Sequence, residues 1–166
     1  MPILFQADWK KYPTAIVDVD TKNKSFLRLA LLYRSLGVKN HAFLLALINP
    51  NLKGVDPHSP NLTETQKAEW AIECAINPWA YFREVAKAPA IGGGDPVQQE
   101  ANRGNIALYW LFFNHVMTFL IQIRQTGKSF STDSLMTYLM NIGCRDTEIN
   151  LLTKDDKLRS TNIQRL

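Results

Sequence analysis

The chain has 166 residues, 46% of them hydrophobic and 20% charged, and its 19 Lys and Arg against 15 Asp and Glu give a formal net charge of +4. That length suits one core with at most a small appendage, and that balance excludes a disordered chain. No window of about 18 consecutive apolar residues offers a membrane span, and the mild basic excess permits nucleic-acid contact without demanding it.

MPILFQADWKKYPT lacks a basic stretch followed by an apolar run, so no secretory signal is expected. AIVDVD then alternates and TKNK turns, which reads as a small strand or an extended arm. From Ser25, SFLRLALLYRSLG carries apolar residues at helical spacing; Ser25 is the expected cap and Gly37 the stop. NHAFLLALINP is expected as a second short helix closed by Pro50, because the residue before a proline is pushed out of the helical region.

The Pro, Asn and Gly of NPNLKGVDPHSPNLT mark a loop. Thr63 and Gln66 then match a capping box ahead of KAEWAIECAI. Asn77-Pro78 supplies a cap and a first-turn proline for WAYFREVAKA. KAPAIGGGDPVQQEANRG is the expected linker, with three consecutive glycines between two prolines. NIALYWLFFNHV is apolar on nearly all sides and predicts a buried helix, followed by MTFLIQI as a strand of the kind buried in a parallel sheet. TEINLLT is the expected second strand, and KDDKLRSTNIQRL predicts an amphipathic helix bearing Leu158, Ile163 and Leu166.

The polar turn RQTGKS lies between the first strand and a helix, where successive backbone N–H groups and a helix N-terminus can cradle a phosphate. Gly127 would allow the tight turn, Lys128 would reach the β and γ phosphates, and Ser129 would offer its hydroxyl to Mg2+. The amides of Gln125, Thr126, Gly127, Lys128 and Ser129 would form the cradle. The common pattern places glycine where this chain has Gln122, so the surrounding strand, turn, helix and strand order adds what the bare motif lacks.

RQTGKS, with Arg124 three residues before Gly127 and Gln125 beside it, is similar to the Walker A variant of tailed-phage terminase large subunits, the ATPases that pump DNA into procapsids. INPWAYFREV resembles the short aromatic helix that precedes that ATPase core. ANRGNIALYWLFFNHV stands in the place of its adenine-side segment, and INLLTKDDKLRSTNIQRL resembles the strand and helix after its first βα unit. The resemblance covers roughly Ile76 to Leu166.

It implies an α/β fold: an incomplete P-loop NTPase sheet (strand, P-loop, helix, strand, helix) preceded by a mainly helical N-terminal segment. The expected division is a helical segment over 1–88, a Gly/Pro linker and adenine-side loop over 89–103, and the first part of the ATPase domain over 104–166. ATP and Mg2+ are the implied cofactors, with Lys128 and Ser129 in the phosphate and magnesium roles and Arg124 as the γ-phosphate sensor. Where the family carries a tyrosine-glutamine pair, this chain has Ala101-Asn102-Arg103; Asn102 can present the same two groups to an adenine edge, and Gln98 or Gln99 are alternatives. Duplex DNA, a procapsid portal, a small terminase subunit and a homo-oligomer are the implied partners, no membrane is, and the cytoplasm of an infected host cell is the implied location.

Hydrolysis also needs an acid at the end of a further strand and a carboxylate to place water. No apolar strand ending in two acids follows the loop, and Asp155-Asp156 read as a helix start. The parent family is an ATP hydrolase with a C-terminal nuclease, whereas this chain is expected to be a truncated or split product. Two alternatives remain: the start of a helicase-like translocase, and a non-catalytic nucleotide-binding or assembly module made as a short chain.

Among other residues, Cys74 and Cys144 lack ligand-spaced partners and read as free thiols. His41, His58 and His115 assemble no constellation. Trp70, Trp79, Tyr81, Phe82, Trp110, Phe112 and Phe113 read as core rather than as base-stacking platforms. The charges of KDDKLRSTNIQRL read as a solvated helix face.

Overall fold

AIVDVD does form a strand, but a very short one. In the computed structural model, which describes residues 8–88, 90, 94–114, 121, 128–144, 146 and 148, β1 (Ile16–Val17) pairs antiparallel with β2 (Ala46–Leu47). β2 lies inside NHAFLLALINP, where a helix was expected; that segment makes a 3-10 turn over His41–Leu45 and then runs extended. Tertiary partners supply the reason. Phe43 through Ile48 are all buried, β1 takes up the strand's backbone, and the Glu73 carboxylate accepts the Ile48 and Asn49 N–H groups, each at 2.9 Å.

α1 (Lys24–Ser35) starts one residue earlier than its sequence signal. Ser25 is therefore not the cap. It sits inside the first turn, donates its hydroxyl to Asn23 Oδ1 at 2.6 Å and accepts the Ala101 N–H at 2.9 Å, so a serine that reads as a local cap serves a contact 76 residues away. The C-terminal stop is as expected: Gly37 takes φ of +80°, its N–H reaches Arg34 O, and the Val38 N–H reaches back to Tyr33 O. That pair of bonds is a Schellman closure.

α2 (Glu64–Ile76) opens on the expected capping box, with Thr63 Oγ1 accepting the Gln66 N–H at 3.2 Å and Gln66 Oε1 accepting the Thr63 N–H at 3.0 Å. Asn77 and Pro78 likewise start the next helix, α3 (Pro78–Ala80), which widens into a π-helical turn over Tyr81–Val85. The Gly/Pro-rich segment after it is more than a tether. Its flanks, β3 (Lys87–Ala88) and β4 (Val97–Gln98), pair antiparallel as a hairpin. α4 (Arg103–Asn114) and α5 (Lys128–Tyr138) follow, α5 ending in a second π-helical turn over Leu139–Gly143.

One apolar cluster draws on nearly every element, from Phe26 of α1 through Trp79 and Phe82 to Tyr109 of α4 and Leu135 and Tyr138 of α5. Phe82 and Tyr109 stack with centroids 4.0 Å apart, and Phe43 meets Trp79 edge-on at 5.1 Å. Each such pair contributes about 0.5–1.5 kcal/mol beyond the area it buries. The expectation of core aromatics holds for Trp70, Trp79, Tyr81 and Phe82, whereas Phe112 remains 40% exposed. α4 is thus buried along one side only: its apolar composition marks a helix with a groove beside it, not one enclosed all round. MTFLIQI apart from Ile121, TEINLLT apart from Glu148, and KDDKLRSTNIQRL lie outside the described residues, so the expected parallel sheet and closing helix lie there as well.

Candidate functional site

The loop that opens α4 is built from both halves of the chain. Gln99 leaves the hairpin with its N–H on Ala86 O at 3.2 Å and its own carbonyl held by Asn23 Nδ2 at 2.9 Å. Ser25 takes the Ala101 N–H, and Asn105 Nδ2 takes the Glu100 carbonyl at 2.7 Å. Asn102 and Asn105 then close a reciprocal cap, Asn102 Oδ1 accepting the Asn105 N–H at 3.0 Å and Asn105 Oδ1 accepting the Asn102 N–H at 2.9 Å. A loop whose polar backbone is engaged from so many directions is fixed before any ligand arrives.

This loop and α1 flank a cleft of about 290 Å³, lined by Ser25, Arg28, Leu29, Leu32, Glu100, Ala101, Asn102 and Arg103. The floor is apolar and the rim is charged. Arg28 lies 3.9 Å from Glu100 with both side chains largely exposed, which is an interaction of little energetic weight. Both groups therefore keep their capacity for a ligand. Arg103 also acts on Tyr33, where burial raises the phenol pKa and the guanidinium opposes the rise. A flat apolar group over Leu29 and Leu32, with polar edges toward Asn102 and charges toward Arg28 and Arg103, is what such a cleft can hold.

The expected contacts to an adenine edge are sharpened by this geometry. Asn102 is exposed, but its Oδ1 already caps α4, so bidentate recognition would displace a helix cap. Gln99 is 1% exposed and turns into the core, where Nε2 donates to the Tyr109 hydroxyl. Gln98 lines a different and smaller cavity of about 80 Å³ beside Asp18, Thr21, Trp70 and Glu84. There Glu84 Oε1 accepts from both Thr21 and Arg83 Nε, and no cluster of metal-ligating side chains occurs among the described residues.

Of the expected phosphate-binding residues, Lys128 is the first described residue of α5 and Ser129 follows it and is exposed. Arg124, Gln125, Thr126 and Gly127 lie outside the described residues. α5 packs against α4 in the shared core, where the Tyr109 hydroxyl accepts from Gln99 Nε2. No protein-family model, no curated protein and no solved structure matches this chain.

Arg28 and Glu100 are absent from the sequence reading because nothing local links positions so far apart. Asn23 and Ser25 left a faint trace as a polar pair at a helix start, which local reasoning assigns to capping. His41 and His58 spend a ring nitrogen on the Val38 and Val85 carbonyls, each at 3.1 Å, and His115 lies outside the described residues. Among the described residues no helix is long and apolar enough to cross a membrane.

Proposed function

We propose that this chain is the ATP-binding part of a viral DNA-packaging motor of the terminase large-subunit kind, which in the complete machine drives duplex DNA into a procapsid. The observation that carries the reading is RQTGKS, whose last two residues, Lys128 and Ser129, lie in the helix α5. A helix leading out of such a turn would supply the N–H groups and positive dipole end that a triphosphate requires. The cleft beside Asn102 and Arg103 adds support, because it sets Leu29 and Leu32 beside the charged Arg28, Glu100 and Arg103 at the segment assigned to the adenine side.

Under this reading the backbone amides around Gly127 hold the phosphates, the Lys128 ammonium neutralises β and γ oxygens, and the Ser129 hydroxyl takes Mg2+. Arg124 faces charge that develops on the transferred phosphoryl group. Duplex DNA, gripped through its phosphates, a portal, a small terminase subunit and further copies of the chain are the proposed partners, and the infected host's cytoplasm the proposed setting.

Calorimetric titration of the purified chain with Mg-ATP tests this. Binding is expected, weakened about tenfold or more by Lys128→Ala, equivalent to about 1.4 kcal/mol. Wild-type and Lys128→Ala chains that bind equally, or a wild type that binds neither ATP nor ADP, would overturn it. Turnover separates the readings of the chain as it stands: hydrolysis lost on Lys128→Ala would make it a motor domain with its own acids, and binding without turnover is expected.

A further inference from the structure

The cavity of about 80 Å³ lies where the turn after β1, the loop following Leu52, α2, the π-helical turn at Glu84 and β4 meet. It is well above the roughly 10–15 Å³ that one water needs and well below the roughly 300 Å³ of a drug-sized pocket, which suits an occupant of a few non-hydrogen atoms. Four carboxylates line it, and three of them hold a cation. Asp20 lies 2.9 Å from Lys53 Nζ, Asp56 lies 3.0 Å from Lys22 Nζ, and Glu84 lies 2.7 Å from Arg83 Nε.

Asp18 is the exception. It is 6% exposed, its Oδ1 accepts the Asp20 N–H at 3.1 Å, and among the described residues no cation pairs with it; Lys53 bonds Asp20 and feels Asp18 only as a lesser neighbour. A carboxylate so far out of water is costly without a counter-charge. Trp70 has the opposite need. It is equally buried, lines the same cavity, and its indole N–H has no acceptor among the described residues. An indole only donates and a carboxylate only accepts, so a molecule that completes both must carry a donor and an acceptor. Water would meet the two bonds but bring no charge.

We propose that this cavity is a binding site for a small primary ammonium compound of the amino-alcohol class, whose ammonium pairs with Asp18 and whose oxygen accepts the Trp70 N–H. The site stands apart from RQTGKS and does not depend on the nucleotide-binding reading. Part of its lining is fixed in advance, because Thr21 donates to Glu84 Oε1 at 2.6 Å and accepts the Asn23 N–H at 3.2 Å. The Lys22–Asp56 and Lys53–Asp20 pairs are well exposed, so they contribute little and can part as a ligand enters.

Calorimetric titration of the full chain at about pH 7.5, in about 0.15 M salt to screen the exposed acids, tests this with ethanolamine, ethylamine and ethylene glycol. Ethanolamine is expected to bind one-to-one, ethylamine about tenfold more weakly for want of an oxygen, and ethylene glycol not at all for want of a charge. Asp18→Asn, which keeps an oxygen for the Asp20 N–H, is expected to weaken ethanolamine about tenfold or more. Trp70→Phe should bring ethanolamine and ethylamine to equal affinity. Near-UV circular dichroism checks that each variant is folded, and the three probes on the wild type decide the proposal without either variant. No binding of ethanolamine overturns it, leaving a cavity for water alone, as does glycol binding as tightly as ethanolamine. Undiminished binding in folded Asp18→Asn also overturns it, because the amines would then be meeting exposed acids. A preference for ethanolamine over ethylamine that survives Trp70→Phe overturns the place given to the oxygen.

Discussion

Two charged side chains do structural work at depths where charge is usually absent. Arg83 is fully buried and spends its guanidinium on the Leu44 carbonyl at 2.7 Å, the Ala46 carbonyl at 3.3 and 3.4 Å, and Glu84 Oε1 at 2.7 Å. Glu73, 1% exposed, accepts from Ile48 N–H, Asn49 N–H and Asn77 Nδ2. These two residues supply bonds that a longer sheet would otherwise provide around the two-residue strand β2. Glu73→Ala would leave the buried Ile48 N–H and the half-buried Asn49 N–H without their acceptor, at a cost of about 1–3 kcal/mol for each unmet group before relaxation, while Asn77 Nδ2 keeps the Ala46 carbonyl. A loss on the order of 3 kcal/mol or more is expected in urea unfolding, and a loss below about 1 kcal/mol would show that water or a shifted backbone replaces the carboxylate. Neither residue is legible as structural in the sequence, where WAIECAI and YFREV show only charges placed within helical patterns.

At the scale of elements, boundaries set by backbone chemistry are the ones that sequence predicts well. Gly37, Thr63 with Gln66, and Asn77-Pro78 act through bonds within a few residues, so tertiary context has little leverage over them. Gly37→Ala places a Cβ in open space but forces φ of +80° on an alanine, so a backbone penalty of about 1–2 kcal/mol is expected without any packing change. Chemical denaturation of Gly37→Ala beside Gly94→Ala checks this: Gly94 also has positive φ, and an equal, sizeable loss there would be expected only if that hairpin loop is as tightly constrained. The elements that local patterns misassign are NHAFLLALINP and the outer side of α4. In both, an apolar run gave the type of burial but could not say which neighbour would cover it.

Across the whole molecule, a shared core makes α1, α3, α4 and α5 stand or fall together. Phe26, Phe82, Tyr109 and Tyr138 come from segments on both sides of the Gly/Pro-rich stretch and lie in one cluster. Thermal unfolding followed by near-UV and by far-UV circular dichroism should therefore give coincident transitions; two resolved steps would show that the parts fold independently. The same burial makes the protein alkali-sensitive. Desolvation pushes Cys74 from 9.0 up to about 12 and Tyr109 from 10.0 up to about 12, and it raises Tyr138 and Tyr81 as well. Each group holds its proton more tightly folded than unfolded, so the folded state binds more protons at high pH. This stabilisation is complete below the unfolded values and is lost as pH climbs from about 9 toward 12. Urea midpoints should be level from about pH 7 to 8 and fall steeply by about pH 11; a level midpoint throughout would mean that the phenols ionise without unfolding.

By itself the sequence determined the glycine stop of α1, the capping box of α2, the start of α3 and the burial of Trp70, Trp79, Tyr81 and Phe82, because each depends on residues close together in the chain. RQTGKS is legible for that reason, as is the helix that holds Lys128. Only the tertiary structure decided that Ser25 serves Ala101, that Gln99 faces Tyr109, that Arg28 borders the cleft at Asn102 and Arg103, and that Lys87 and Ala88 pair with Gln98 and Val97 across the glycine-rich stretch. Those outcomes rest on bonds between residues tens of positions apart, and no local pattern encodes which of several polar groups will meet once the core has closed.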